Sequence, residues 1–289
     1  MRRNKRKNGK ITNIHNTHVV NFIFIFVAVV IFAFCLYGIK NVNALNGGDI
    51  SSPTNESVLP EQDETVKQSA ESEVSQNTYI TLTFARAKVG FLNVRENPST
   101  TAKILGYMDA GDMCLVADTI YGWYKIYYRG GYAYISSVFS EAVTMDFENE
   151  TVANVVIAGA KMIGVEYVYG ATRMFDSYGN PISGFFDDAF DCSSFTQYAY
   201  YIGAGIKINV TTRTQVYDGV KADELMPGDL MFFTNSTRYY YEGIERIGHV
   251  GIYLGDNYIL HTSSDYAVIE QISQTRWSYF IQNNRLIFD

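Results

Sequence analysis

Hydrophobic and polar residues follow a different pattern in each part of the chain. The first stretch is an apolar run, residues 19–39, interrupted only by Asn21 and Gly38, and it follows a strongly basic segment, residues 1–18. About 20 apolar residues suffice to cross a bilayer, so residues 19–39 predict a transmembrane helix or signal anchor. Because basic residues crowd its N-terminal side and only Lys40 follows directly, residues 1–18 are expected to form a cytoplasmic tail.

The apolar run is either retained as a membrane helix or cleaved as a signal peptide, and in both cases the rest of the chain is exported. A retained helix makes a single-pass membrane protein with extracellular C-terminal domains. The small residues Val42-Asn43-Ala44 offer a cleavage site instead, and cleavage near Ala44 would release a secreted protein. Residues 40–78 are interpreted as a disordered acidic linker, because from residue 46 onward they are polar and contain few large apolar side chains.

Short apolar runs alternate with turn residues over residues 79–140, and this spacing predicts the strands of a small β-barrel. The pattern resembles a bacterial SH3-like domain. The matching segments are Leu92-Asn93-Val94-Arg95 with Pro98, Gly111-Asp112, Gly122-Trp123-Tyr124-Lys125-Ile126 and Gly131-Tyr132-Ala133-Tyr134-Ile135. Such domains bind cell-wall peptide or position a catalytic partner, and the aromatic residues here suit either a binding groove or ordinary barrel packing. Residues 141–150 are interpreted as a connector between this domain and the next.

The stretch Phe190-Asp191-Cys192-Ser193-Ser194 predicts the start of a helix that carries a nucleophile. Asp191 can cap this helix, which Gly203 or Gly205 would end. Its buried face is expected to carry Phe195, Tyr198, Ala199 and Ile202. The positive end of the helix dipole favours the thiolate of Cys192, and the N–H groups there, including that of Ser193, are candidate oxyanion donors.

A candidate base, His249, lies at the start of an alternating run that predicts a strand, and His261 ends the strand after it. If residues 255–257 form a three-residue hairpin loop, both histidines share one face, and His261 can hold His249 in one tautomer. A two-residue loop would place them on opposite faces, because a slip of one residue turns every side chain over. Gly251, between them, leaves room for the rings.

The three cysteines do not predict a disulfide. Cys35 lies in the apolar run, and Cys114 lies in a strand-like run of the barrel, where it is expected to be a small core residue. Cys192 is then a lone exported thiol, which reactivity explains better than packing.

The motifs of residues 150–289 together resemble the NlpC family of papain-like cysteine peptidases, which act on bacterial cell walls. The matching segments are Gly164 to Gly170, Phe190-Asp191-Cys192-Ser193, Arg213-Thr214-Gln215, Leu225 to Phe233, His249 to Gly255 and Tyr258-Ile259-Leu260-His261. The resemblance implies an α+β fold with Cys192 as nucleophile, His249 as base and His261 as orienting residue. It also implies that Tyr167 lies near the thiol and that Asp191 helps to receive the polar end of the substrate peptide.

This sequence departs from the family at Ser194 and Ala171, where glycine is usual. It also carries two long loops, residues 172–189 and 235–247. Loops of this kind shape a substrate groove or are solvated insertions.

The sequence therefore predicts an exported cysteine endopeptidase that cleaves amide bonds in peptidoglycan stem peptides, with the bond between D-glutamate and the diamino acid favoured by the family resemblance. Two alternatives stay open: another thiol amidase or transpeptidase on the same scaffold, and a catalytically silent wall-binding adaptor. The net charge of −7 gives no indication of nucleic-acid binding. No metal or other cofactor is expected, because the chain has four histidines and no spaced Cys/His set.

Overall fold

The computed structural model describes residues 79–262 and 265–287. The predicted cytoplasmic tail, transmembrane helix and linker, residues 1–78, lie outside the described residues. Within the described residues, no helix has the length and hydrophobicity that a membrane span requires.

Seven antiparallel strands form the predicted barrel. They are β1 (Ile80–Ala87), β2 (Leu92–Arg95), β3 (Ile104–Met108), β4 (Met113–Ile120), β5 (Trp123–Tyr128), β6 (Gly131–Ser136) and β7 (Ser140–Phe147). Strand β1 pairs with β4 and β7, and the order β4-β5-β6-β2-β3 continues the sheet. Alternate side chains such as Val94, Ile126 and Ile135 are fully buried inside, as the period of two along a strand requires. The barrel prediction is confirmed.

The predicted connector, residues 141–150, is wrong. Its first part belongs to β7, which pairs with β1 along its whole length, with Ile80 opposite Phe147 at one end and Ala87 opposite Ser140 at the other. A helix begins at Glu150. Met145 and Phe147 are buried while Asp146 is exposed. The alternation of Met145, Asp146 and Phe147 is that of a strand buried on one face.

The second domain packs helices against an antiparallel sheet. Its elements are α1 (Glu150–Ala160), β8 (Glu166–Tyr167), β9 (Ala189–Phe190), α2 (Cys192–Ala204), α3 (Thr212–Gln215), β10 (Val220–Ala222), β11 (Leu230–Phe233), β12 (His249–Gly255), β13 (Tyr258–Thr262), β14 (Ala267–Gln271), α4 (Gln274–Ser278) and β15 (Phe280–Arg285). The strand order is β10-β15-β11-β12-β13-β14. This is the α+β arrangement that the sequence predicts.

Helices α1 and α2 pack closely because Gly203 has no side chain. A Cβ atom there would lie 2.5 Å from the Cα atom of Val155 on α1. Helix α2 ends at Gly205, in the left-handed region at φ 69°. The predicted buried face of α2 is correct for Phe195 and Ala199 but wrong for Ile202, which is 51% exposed. Tyr200 is fully buried instead, because the side of α2 that meets α1 and the sheet is rotated from the expected one.

The barrel is joined to the second domain through backbone pairing. Strand β14 pairs with β4, with Ile269 opposite Met113. The Arg129 guanidinium donates from Nε to the Gly164 carbonyl at 2.6 Å. The sheet that carries both histidines therefore continues into the barrel, and the barrel supports the edge of that sheet.

Candidate active site

Cys192 is the first residue of α2, as predicted, because a capping box fixes the start of this helix. The Asp191 side chain accepts a hydrogen bond from the Ser194 N–H at 2.8 Å. The Ser194 hydroxyl accepts one from the Asp191 N–H at 2.9 Å. Two N–H groups at the helix start are thereby satisfied, and the thiol is held at a defined position.

The Cys192 thiol is buried beside the strand that carries His249. Its sulfur lies 3.4 Å from the Thr212 hydroxyl. Burial raises the thiol pKa, whereas hydrogen bonds from Thr212 and from the N–H groups of Val250 and Ser193 oppose that rise. The net direction is opposite to the sequence-based expectation of a stabilised thiolate, because the loss of water around the sulfur outweighs the hydrogen bonds that these donors give to it. The resting nucleophile is therefore a neutral thiol that needs a base.

His249 and His261 are in contact, with Nε2 of His249 2.8 Å from Nδ1 of His261. The predicted three-residue loop is wrong, since β12 and β13 are joined by two residues, Asp256 and Asn257. The register nevertheless shifts between Tyr253 and Gly255. This bulge adds one residue to β12, which offsets the shorter loop and keeps both histidines on one face.

Gly251 makes the close approach of the two histidines possible. A Cβ atom at this position would lie 2.9 Å from the Cβ atom of His261 and 2.6 Å from the Cδ1 atom of Ile259. Both distances are shorter than side chains tolerate, so the expectation that glycine leaves room here is confirmed.

Two residues that the sequence analysis did not identify continue the hydrogen-bond chain behind the histidines. His261 Nε2 lies 3.0 Å from the Glu270 carboxylate. Arg276 donates to the same carboxylate oxygen at 2.8 Å. Glu270 follows the buried apolar residues Ala267, Val268 and Ile269 on β14. This polar side chain at the end of an apolar run was the only local feature of the sequence that could have indicated its role.

This chain of contacts sets the tautomer of both rings. A carboxylate only accepts, so His261 carries its proton on Nε2 and offers a lone pair at Nδ1. His249 must then donate from Nε2, which leaves Nδ1 of His249 as an unprotonated base. Burial lowers the pKa of His249 well below its ordinary value, and the positive charge of Arg276 adds to this effect. His249 is therefore a neutral imidazole at pH 7.

The carboxylate at the end of the chain is ionised. Burial alone would raise the pKa of Glu270, but the hydrogen bond from His261 and the charge of Arg276 together hold it below its ordinary value. For His261, burial lowers the pKa, and Glu270 opposes part of that shift. A negative charge is thus available to stabilise the histidine pair when it takes up a proton.

The thiol and the imidazole open into two adjoining cavities. Cys192 lines a cavity of about 180 Å³, and His249 lines another of about 490 Å³. Tyr167 and Gly248 line both cavities, which confirms that Tyr167 lies near the thiol. Asp191 and Ser193 line the thiol cavity, and each of the two long loops contributes to it, through Arg173 and Arg238. The groove-shaping interpretation of these loops is supported.

The described part of the chain holds no cluster of three or more His, Cys, Asp or Glu residues arranged for a metal ion. Cys114 and Cys192 are both free and buried. The sulfur of Cys114 lies 3.6 Å from that of Met108 in the barrel, so Cys114 is the core residue that the sequence predicts.

Comparison with known proteins agrees with both domains. Residues 164–285 match the NlpC/P60 family, and residues 90–141 match the bacterial SH3 domain. The chain is 31% identical over 160 residues to a gamma-D-glutamyl-L-lysine dipeptidyl-peptidase of Bacillus subtilis, which covers 52% of this chain and 48% of the relative. It is 39% identical over 93 residues to a peptidoglycan DL-endopeptidase, CwlO, of Bacillus licheniformis, which covers 30% of this chain and 19% of the relative. The chain thus spans about half or less of these relatives.

A solved structure, NlpC1 from Trichomonas vaginalis, aligns with 72% of this chain and 70% of its own, at 24% identity and a TM-score of 0.38.

Proposed function

We propose, on the premise that this chain carries an NlpC/P60 cysteine peptidase domain preceded by a bacterial SH3 domain, that it hydrolyses amide bonds in the peptide stems of peptidoglycan. The main support is the hydrogen-bond chain from Glu270 through His261 to His249. It leaves a lone pair on Nδ1 of His249, and the Cys192 thiol lies beside the same strand. A buried neutral thiol and a half-buried neutral imidazole that opens into a cavity are a nucleophile and a general base.

The reaction begins with transfer of the Cys192 proton to Nδ1 of His249. The sulfur attacks the scissile carbonyl, and in this proposal N–H groups at the start of α2, including that of Ser193, donate hydrogen bonds to the oxygen that becomes negative. When the tetrahedral intermediate collapses, the C–N bond breaks, and the imidazolium of His249 gives its proton to the leaving amine. A thioester remains on Cys192. Water, deprotonated by His249, then attacks the thioester and releases the acid and the thiol.

We further propose that the cleaved bond joins D-glutamate to the diamino acid. The support is that the relatives described above are named for a gamma-D-glutamyl-L-lysine peptidase and a peptidoglycan DL-endopeptidase. Attachment to the outer face of the cell membrane through residues 19–39, with residues 40–78 as a spacer, is part of the same proposal and rests on the sequence alone.

The test is digestion of purified wall sacculi by the full-length protein, with fragments identified by mass spectrometry. We expect new fragments that carry a free diamino-acid amine, unchanged by a chelator and lost in Cys192→Ala. Cys114→Ala, which removes the barrel thiol, serves as the matched control and should digest normally. Fragments with a different new terminus would indicate the amidase or transpeptidase alternative. No fragments from any wall type would contradict the proposal and favour a wall-binding adaptor.

A further inference from the structure

The cavity that holds the Cys192 thiol has a net positive lining. Three arginines line it, Arg173, Arg213 and Arg238, together with one acidic residue, Asp191. Outside the lining, Glu245 lies 3.2 Å from Arg238 and 3.6 Å from Arg213. Three positive charges against two negative ones leave an excess of one positive charge beside the nucleophile. Such a cavity attracts a carboxylate and repels an ammonium group.

The one carboxylate in the lining has no capacity left for a substrate. Asp191 accepts hydrogen bonds on Oδ1 from the Ser194 N–H at 2.8 Å and the Ser193 hydroxyl at 3.0 Å. On Oδ2 it accepts from Arg173 at 2.6 Å and from the Gly170 N–H at 3.2 Å. Two carboxylate oxygens offer about four acceptor sites. All of these sites are occupied by the protein itself, so Asp191 does not have the free acceptor that its expected role in receiving the polar end of the substrate peptide requires.

Arg173 is held firmly in this role. Its Nε atom donates to the Val210 carbonyl at 2.9 Å, and its Nη2 atom also contacts the Ser193 hydroxyl at 3.2 Å. The Arg173 side chain is 19% exposed and that of Asp191 is 6% exposed. A substrate ammonium could reach Asp191 only by displacing a half-buried, multiply bonded guanidinium, which would leave that guanidinium without its carboxylate partner.

We propose, building on the function above, that this cavity selects stem peptides whose N-terminal amine is blocked, and that Arg173 is the residue that determines this selection. In a stem still joined to the glycan, the first amine is an uncharged amide. In a free stem peptide it is an ammonium close to the γ-glutamyl carbonyl that the thiol attacks. The free α-carboxylate of the γ-linked glutamate matches the positive lining. The protein therefore opens the intact wall and discriminates against peptides already released from it.

The experiment compares three substrates prepared from one wall: the disaccharide-linked tetrapeptide, the free tetrapeptide, and the free tetrapeptide acetylated at its amine. For the full-length wild-type protein we expect kcat/KM at least tenfold higher for both blocked substrates than for the free amine. Acetylation separates the loss of charge from contacts with the sugar. Digestion of sacculi by the same preparation is measured in parallel and reports on the proposed function by itself.

Variants then test the role of Arg173. Arg173→Met should lower the preference for blocked substrates to below threefold, whereas Arg173→Lys, which keeps the charge, should retain most of it. Arg95→Met, which removes a guanidinium from the barrel, is the matched control and should leave the preference unchanged. Circular dichroism checks folding, and the wild-type comparison stands even if Arg173→Met does not fold.

If sacculi are digested but the free and blocked peptides are cleaved at equal rates, the inference is overturned while the proposed function stays intact. A preference for the free amine would also overturn it, and would point to the separate cavity that Glu166, Asp187, Asp188 and Asp265 line. If sacculi are digested but neither blocked peptide is cleaved, selection for blocked amines at this cavity is refuted. Absence of sacculi digestion would instead contradict the proposed function.

Discussion

Replacement of Glu270 by alanine tests the hydrogen-bond chain behind the base. The His261 ring is fully buried, and Glu270 accepts its Nε2–H at 3.0 Å. Without this acceptor, a buried donor loses its partner, which costs about 1–3 kcal/mol. The other tautomer of His261, protonated on Nδ1, avoids this cost. In that tautomer His261 donates to His249, and the proton of His249 moves to Nδ1, where it blocks uptake of the thiol proton.

The size of the expected effect follows from this cost. A shift of about 1–3 kcal/mol changes the ratio of the two tautomers by about 5- to 150-fold. We therefore expect Glu270→Ala to lower kcat by a factor in this range. KM should change less, because Glu270 lines neither the thiol cavity nor the histidine cavity. Glu270→Gln retains an acceptor oxygen without the charge, so its kcat should lie between those of the wild type and the alanine variant.

Steady-state kinetics on a soluble muropeptide measure kcat and KM, and ¹⁵N NMR of the histidine rings reports which nitrogen carries the proton. The NMR measurement separates a tautomer change from general loss of structure. Glu141→Ala is the matched control, because Glu141 also pairs with an arginine, Arg86, at 2.7 Å but lies in the barrel. Unchanged tautomers together with kcat within twofold of wild type in Glu270→Ala would refute the reasoning.

Three further predictions concern packing and ionisation. Gly251→Ala should lower the free energy of unfolding by about 1–3 kcal/mol and reduce kcat, because the new Cβ overpacks against His261; a change below about 0.5 kcal/mol in urea denaturation would argue against this. Burial raises the pKa of Asp112 to about 7, above its unfolded value, so stability falls as pH rises from about 4 to 7. Asp112→Asn should remove this loss and stabilise the protein at pH 8 by up to about 4 kcal/mol. Thermal unfolding of both proteins at pH 5 and pH 8 measures this, and a stability difference between variant and wild type that is the same at both pH values would contradict it. The raised thiol pKa predicts that alkylation of Cys192 by iodoacetamide accelerates steadily up to pH 9, whereas a rate that is constant from pH 6 to 8 would mean a thiolate at rest.

Local patterns predicted the elements that hold the two main functional groups. Asp191 as a helix cap and the alternation after His249 are signals within a few residues, and both gave correct elements. Strand β7 was missed because its alternation is weak: the polar Glu141 lies in phase with the buried Met145 and Phe147, whereas the apolar Ala142 is exposed. The strand β3 (Ile104–Met108) was also missed, since Leu105 and Met108 are its only side chains that are even partly buried.

The histidine pairing was predicted correctly through an incorrect loop. A sequence shows the length of a turn only approximately, and the bulge near Leu254 depends on how β12 meets its neighbours. The predicted loop is one residue too long and the predicted strand lacks the bulge. These two errors cancel, so both histidines were correctly placed on one face of the sheet. Glu270 and Arg173 were missed for a different reason. Glu270 contacts His261, 9 positions away in the chain, and Arg173 contacts Asp191, 18 positions away. Only the tertiary fold brings each pair together.

The direction of the thiol pKa shift could not be predicted from the sequence either. The helix start is visible in the sequence, and it favours the thiolate. The burial of Cys192 is not visible in the sequence, and it is the largest cause of the raised thiol pKa. The site therefore relies on a base, so the tautomer of His249 becomes the property on which the mechanism depends.

The most direct test of the central claim is detection of the acyl intermediate on Cys192. The full-length protein is mixed with the disaccharide-linked tetrapeptide, quenched in acid within one turnover, digested and mapped by mass spectrometry. We predict that the peptide containing Cys192 gains the mass of the acyl fragment that ends in D-glutamate, with an equal amount of free leaving peptide. An unmodified Cys192, with product released at the same rate by Cys192→Ala, would contradict it.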